Sequence, residues 1–314
     1  MFKYLIGRIG TAVPTLLAVL LITFTLTYLS PFDPVRLLLL SNEISNLSSE
    51  EMIARIRHQY GLDRPFGVQF IDYIWKLAQG DWGISIVGQR DIWTMIAHTL
   101  PISAQLGLAA AALTTVLGIP LGIVAALKQN NWLDYLIVSG TLVLYTLPVY
   151  VLAPLLLILF VLVLDVMNVP RGWHGLFSWQ SIIPVCLLAF GPLAIIVRQT
   201  RQSVLEVLSQ DYIRTAKAKG LSTVAIAWRH VMRNAMIPVV TALGLVTEGL
   251  IASTVFIDTI FAIPGFGSIA ATAIGQLDYP VILGVTLVSS ILVITTNILV
   301  DLVYPMLDPR VTLE

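Results

Sequence analysis

Apolar residues in this chain come in long unbroken runs separated by short polar connections, not in the alternation of half-buried strands. A bilayer core about 30 Å thick is crossed by about 20 apolar residues rising 1.5 Å each. Six segments meet that length: Ile9–Leu29, Pro101–Leu127, Tyr135–Leu164, Ser181–Val197, Ile237–Ile257 and Val281–Tyr304. The fourth is the shortest and contains Pro184 and Pro192. The pattern predicts an all-α polytopic membrane protein with six transmembrane helices. Lys3 and Arg8 precede the first run as in a signal peptide. That run outlasts the usual signal core of about 7–15 residues, and no small-x-small site ends it at Thr27–Pro31. A retained first span is expected.

Three regions follow: residues 1–30 as N-terminal tail and first span, 31–98 as an external loop, and 99–314 as a five-helix core containing the loop 198–236. The external loop carries helical signals. Ser48 and Glu51 have capping-box spacing, and Met52, Ile53, Ile56 and Tyr60 recur at helical intervals. Phe70, Ile71, Ile74, Trp75, Leu77 and Ala78 form a second stripe, suited to helices lying on the outer membrane face.

Composition agrees: 57% of residues are hydrophobic and 11% charged, where a soluble domain carries about a quarter charged. Mean hydropathy is +0.88. Positive and negative charges balance, so nothing points to nucleic acid. Their placement is uneven. Lys3, Arg8, Lys128, Arg310 and the crowd from Arg198 to Arg233 all fall on one side of a six-span chain. The opposite short loops hold only Arg171, which predicts cytoplasmic termini. Cys186 is the single cysteine and the four histidines lie far apart, which argues against a disulfide framework and a His or Cys metal site.

No glycine precedes a lysine, so there is no P-loop, and kinase, zincin and dinucleotide-binding patterns are missing. Neither a row of intramembrane acids nor repeated arginines suggests a proton relay or voltage sensor. Energy for any pumping must come from another subunit.

Arg198–Met236 is polar and basic yet helical in pattern. Asp211 suits the N-cap of a helix through Lys219, and Gly220 suits the C′ position beyond it, where a positive φ is cheap for glycine. A second helix is expected after Ser222, through Ile226, Trp228, Val231 and Met232 to Asn234, before Pro238 opens span five. Such a knob fits docking onto a cytoplasmic partner, and it equally fits a basic hairpin on anionic lipid.

The run Tyr212–Leu221, with Arg229–Ala235 and Pro238 after it, resembles the EAA loop of binding-protein-dependent ABC permeases of the dipeptide/oligopeptide/nickel branch. Gly61–Pro65 with Gln69, Gly80–Ser85, Ile263–Gly267, Asp278–Pro280, and Asn297, Asp301, Tyr304 with Leu307–Arg310 are similar to that branch in the same order. Arg214-Thr215-Ala216 stands where the generic motif has Glu-Ala-Ala, and the Gly220-to-Pro238 gap is long, as in the peptide branch.

The resemblance implies the type I ABC importer permease fold, with the helix around Asp211–Lys219 as a coupling helix seated on a nucleotide-binding subunit. Asp211, Arg214, Thr215, Ala216, Lys217, Lys219, Gly220, Arg229 and Arg233 would make that contact. It further implies a homologous second permease, two ABC ATPase subunits (or one used twice) and an extracytoplasmic solute-binding protein. ATP and magnesium would sit on the ATPases, with no cofactor and no catalytic or metal site on this chain. Within the branch, cargoes include dipeptides, longer peptides, glutathione, nickel chelates and sugars.

Glu248 is the one ionisable residue well inside a predicted span. It suits either the solute path or a structural pair with a neighbouring helix. The 261–280 loop, with Pro264, Gly265 and Gly267, suits a re-entrant turn lining a cavity, or a plain external connector. Gly118 and Gly122 give span two a small-residue face, and Pro120, Pro148, Pro154, Pro184 and Pro192 predict kinks. A self-sufficient secondary transporter or channel, and a membrane enzyme or scaffold, remain the competing classes. The scarcity of intramembrane charge and the missing catalytic constellation weigh against them.

Overall fold

The computed structural model describes residues 2–32, 50–59, 61, 63–220, 222, 226, 231–252 and 254–307. Helix α1 is Phe2–Tyr28; α2, Glu50–Gln59, and α3, Phe66–Ala78, lie in the long loop after it, expected to be external. The core follows with α4 (Ile92–Leu127), α5 (Trp132–Thr146), α6 (Val149–Leu157, prolonged by a π-helical turn Ile158–Val163), α7 (Ile182–Leu208) and α8 (Asp211–Ala218). It ends with α9 (Met232–Ala252), α10 (Val255–Ile260), α11 (Phe266–Gln276) and α12 (Tyr279–Leu307).

Among the described residues, four helices are long and apolar enough to cross a membrane alone, within α1, α4, α7 and α12. The apolar part of α9 is shorter, Asn234–Thr247. The predicted third span is not one rod. It breaks between α5 and α6 with a bend of 102°. Leu147 is extended there (φ −84°, ψ 117°), because Pro148 disfavours helical backbone in the residue before it and brings no N–H. Pro120 and Pro192 lie inside continuous helices, so of the five predicted kinks only Pro148 breaks its span.

Two expected boundaries move. Span two begins at Ile92, ahead of Pro101, because Asp91 caps the helix by accepting the Thr94 N–H at 2.7 Å. The division at residue 98 therefore falls inside a helix. Span four continues past Val197 to Leu208, carrying its basic residues out of the apolar zone on an unbroken helix. In the external loop, α3 is bound to the first span: Phe24 meets Phe66 and Phe70 edge-on at 5.5 and 5.3 Å. Ile71 and Trp75 face outward from it. Ser48 lies outside the described residues, so its cap does too.

Buried side chains form three clusters along the bundle. An outer one joins Ile92 and Ile96 of α4 to Phe266 and Ala273 of α11 and Val281 and Val285 of α12. The middle one gathers Leu106, Ala110, Leu152, Leu187, Leu250 and Phe261. The inner one joins Ala126, Val204, Ile213, Ala216, Val231 and Ala235. Arg8 pairs with Asp301, so the start of α1 and the end of α12 share the inner end of the bundle with α8. Leu26, Val116, Leu136 and Leu162 are exposed, an outward apolar surface that demands lipid or another apolar helix.

α4 and α7 make the tightest seam. A Cβ on Gly122 would lie 2.5 Å from Thr200 Cβ and 2.7 Å from the Val197 carbonyl oxygen, and backbone cannot give way as a side-chain tip can. Gly122→Ala is expected to destabilise the bundle by about 1–3 kcal/mol. Gly140→Ala, with nothing within 4 Å, should be neutral or slightly stabilising. Thermal unfolding of the detergent-solubilised variants checks the contrast.

Candidate coupling surface and outer lid

At the inner end, α8 is two-faced. Ile213 and Ala216, three residues apart and hence on one face, are buried against Ala126 of α4, Val204 of α7 and Ala235 of α9. Asp211, Tyr212, Arg214, Thr215, Lys219 and Gly220 are exposed. Tyr212 Oη accepts a hydrogen bond from Asn234 Nδ2 at 2.9 Å, tying the knob to α9. Asp211 is the first helical residue, not a cap outside the helix, and its 3.5 Å pair with Arg214 is too exposed to contribute much stability. The helix ends at Ala218, and Gly220 has φ +75°.

The expected coupling residues thus divide. Asp211, Arg214, Thr215, Lys219 and Gly220 are presented outward, whereas Ala216 faces the bundle. Lys217 belongs to α8 and Arg233 to α9 by backbone, with side chains outside the described set. Arg229 and most of the second expected helix lie outside the described residues, while Ile226 and Val231 are buried in the inner cluster.

At the outer end, the 261–280 loop is a packed lid. Asp258 on α10 is fully buried, and its Oδ2 accepts from Ser103 Oγ (3.2 Å), Thr254 Oγ1 (2.9 Å) and the Gly267 N–H (3.0 Å). Ser103 Oγ in turn accepts the Phe266 N–H at 2.8 Å. A Cβ at Gly265 would meet the Asp258 carboxylate, and one at Gly267 would lie 2.6 Å from the Val255 backbone. Both glycines are therefore needed for close approach, and Pro264 is exposed beside them.

A second aspartate fastens the far end of the lid. Asp278 accepts from Ser85 Oγ at 2.5 Å and from the Ile86 and Val87 N–H groups at 3.1 and 3.2 Å. That carboxylate joins the loop before α4 to the α11–α12 junction. Between them lies a cavity of about 160 Å³ lined by Ser85, Met95, Thr272, Gln276 and Asp278. Glu248 is in α9 by backbone, and its side chain lies outside the described set.

Sequence reasoning singled out neither these aspartates as anchors nor a third contact at the inner end. There, Arg201 on α7 donates from Nε and Nη2 to Asp134 on α5, both at 2.7 Å. The partners are 67, 155 and 193 residues apart for Arg201–Asp134, Ser103–Asp258 and Ser85–Asp278, beyond any periodicity. Only Ser85 and Asp278 carried a signal, by standing within stretches already marked by resemblance.

Apolar spans, an inner knob and a folded outer lid define a membrane transport subunit. Comparison with known families makes the class specific. The family model described as "binding-protein-dependent transport system inner membrane component" matches residues 118–313, and its N-terminal companion matches residues 1–107. The chain belongs to this family and is a multi-pass inner-membrane transport subunit. It is 38% identical over 319 residues to the dipeptide transport system permease protein DppB of Bacillus subtilis (strain 168), covering 100% of this chain and 99% of that one. Its namesake in Escherichia coli (strain K12) is 33% identical, with 99% of both chains covered. The fold is similar to that in inward-facing conformations of the MetNI methionine ABC transporter, with TM-score 0.57 at 16% identity. That match covers 68% of this chain and 97% of the other.

Ser103→Ala keeps the side chain's volume but leaves the buried Phe266 N–H and an Asp258 oxygen short of a partner each. A loss of about 1–3 kcal/mol is expected. Earlier proteolysis of the 254–280 segment in membranes, with α8 unaffected, would read it.

Proposed function

We propose that this chain is one of two homologous permease subunits of an ATP-driven importer of di- or oligopeptides. Two ABC ATPase subunits (or one used twice) dock on its inner face and hold ATP and magnesium. An extracytoplasmic solute-binding protein delivers cargo at the outer face, and both termini are cytoplasmic. The chain itself binds no cofactor. End-to-end similarity to dipeptide permeases supports the peptide cargo.

The observation that carries the reading is the two-faced α8. Its inner face is mounted on three core helices at once, so displacement of the knob displaces α4, α7 and α9 together. Its outer face offers Tyr212, Arg214, Thr215 and Lys219 as a mixed polar and aromatic contact surface. Transmission is then rigid-body movement of a lever in a socket. α4 carries the movement outward. Its 36 residues extend about 54 Å, with Ala126 in the inner cluster and Ser103 in the lid network. Tilting α4 therefore loads the Ser103–Asp258 contact, so closure at the inner end and opening of the lid are linked by one helix. Glu248, Pro264, Gly265 and Gly267 belong to this path: the two glycines let the lid close, and Glu248 sits on α9, one of the driven helices.

Gly220→Leu tests the coupling role. Among the described residues beyond its chain neighbours, no atom lies within 4 Å of the added Cβ, so the cost to this subunit is chiefly the left-handed backbone, about 1–2 kcal/mol. The bulk instead meets the ATPase groove. In proteoliposomes containing the full complex, ATP hydrolysis should persist while peptide uptake falls about tenfold or more. Normal coupled uptake would remove α8 as the contact.

A further inference from the structure

α5 lies along α7 with few of its side chains buried. Of its 15 residues only Asp134 and Thr141 are buried, and the Thr141 hydroxyl bonds back to Ile137 of its own helix. Leu136, Val143 and Tyr145 are exposed. Its first turn is joined to α7 by the Asp134 carboxylate, which is 3% exposed and grips Arg201 through two parallel bonds. Asp134 Oδ2 also accepts the Asn130 N–H at 3.0 Å, in the α4–α5 turn where Asn130 has φ +61°. One carboxylate thus fixes the turn leaving α4, the first turn of α5 and the side of α7. A weaker contact accompanies it, Arg198 of α7 stacked 5.6 Å over the Tyr145 ring.

The position of Arg201 gives this contact its meaning. One residue before it, Thr200 lies against Gly122 of α4. Three residues after it, Val204 lies in the inner cluster with Ile213 and Ala216 of α8. α7 then runs into α8 through Ser209 and Gln210 alone. The ion pair therefore stands on α7 beside the residues that mount the knob.

We infer that Asp134 and Arg201 are positioning residues for energy coupling. They clamp α5 to α7 so that movement imposed on α8 reaches the bent α5–α6 pair instead of being lost as slip between the two helices. Two parallel charge-assisted bonds fix direction as well as distance, which apolar contact does not. The inference rests on the proposed function, since it presumes that α8 is driven.

The test uses the reconstituted complex of both permeases, the ATPases and the solute-binding protein, with a radiolabelled dipeptide as probe. The readout is ATP hydrolysed per dipeptide taken up. Asp134→Asn removes the charge, and Arg201→Lys keeps it while losing the two-toothed geometry. Each is expected to raise that ratio about fivefold, with the ATPases still co-purifying. The exchange Asp134→Arg with Arg201→Asp should bring the ratio back toward the parent. An unchanged ratio in both single variants would overturn the inference, whether activity is kept or falls as a whole. Failure of both to assemble would overturn it too, by making the pair a folding element. A parent complex that takes up the dipeptide without ATP would instead sink the proposed function, leaving a wild-type failure distinct from a variant failure.

Discussion

Gly122 lets α7 approach α4 until Thr200 and the Val197 carbonyl occupy the space where a β-carbon would otherwise sit, and Gly118 does the same toward Ile196. In lipid, apolar residues gain nothing by leaving one apolar medium for another, so helices associate where small residues permit close contact. Every other arrangement depends on this seam. It carries the middle cluster on one level and the inner cluster on the next, and it fixes the axis from which the knob projects. The helices around it can be bent or short because the seam supplies the reference frame. α5 and α6 break at Pro148, and α9 is only partly apolar.

Polar contacts are few and sit at the two ends of that frame. At the outer end, Asp258 and Asp278 each satisfy several donors from segments distant in the chain, converting a glycine-rich loop into a lid with one geometry. At the inner end, Asp134 does the same for the α4–α5 turn and α7. The donors that meet each of these carboxylates offset part of the cost of withdrawing it from water, so the assembled form of each site is favoured over a parted one. Such joints favour discrete states over gradual deformation.

The position of α8 was largely legible from the order of residues. A basic stretch with helical spacing, an acidic start and a glycine stop located α8 to within a residue, because those signals are local and rest on backbone geometry. Its two-facedness was less visible: Ala216 had the look of a contact residue within its motif, yet it faces inward because Ile213, one turn away, sets the buried side. The lid was legible as a glycine-containing apolar turn, but not as a network. Ser103 reads as one more small residue in a span, and nothing near it in sequence announces Asp258.

Sequence alone determined the helical class, the long apolar helices α1, α4, α7 and α12, and the position of the knob. Each follows from local chemistry: the length of an apolar run and the φ that glycine accepts. Tertiary structure alone decided where the third span folds back, how far α4 and α7 extend, and which aspartates hold the ends together. Those outcomes depend on partners brought together from opposite parts of the chain, and a buried carboxylate can be read only when the donors that fill it are in place.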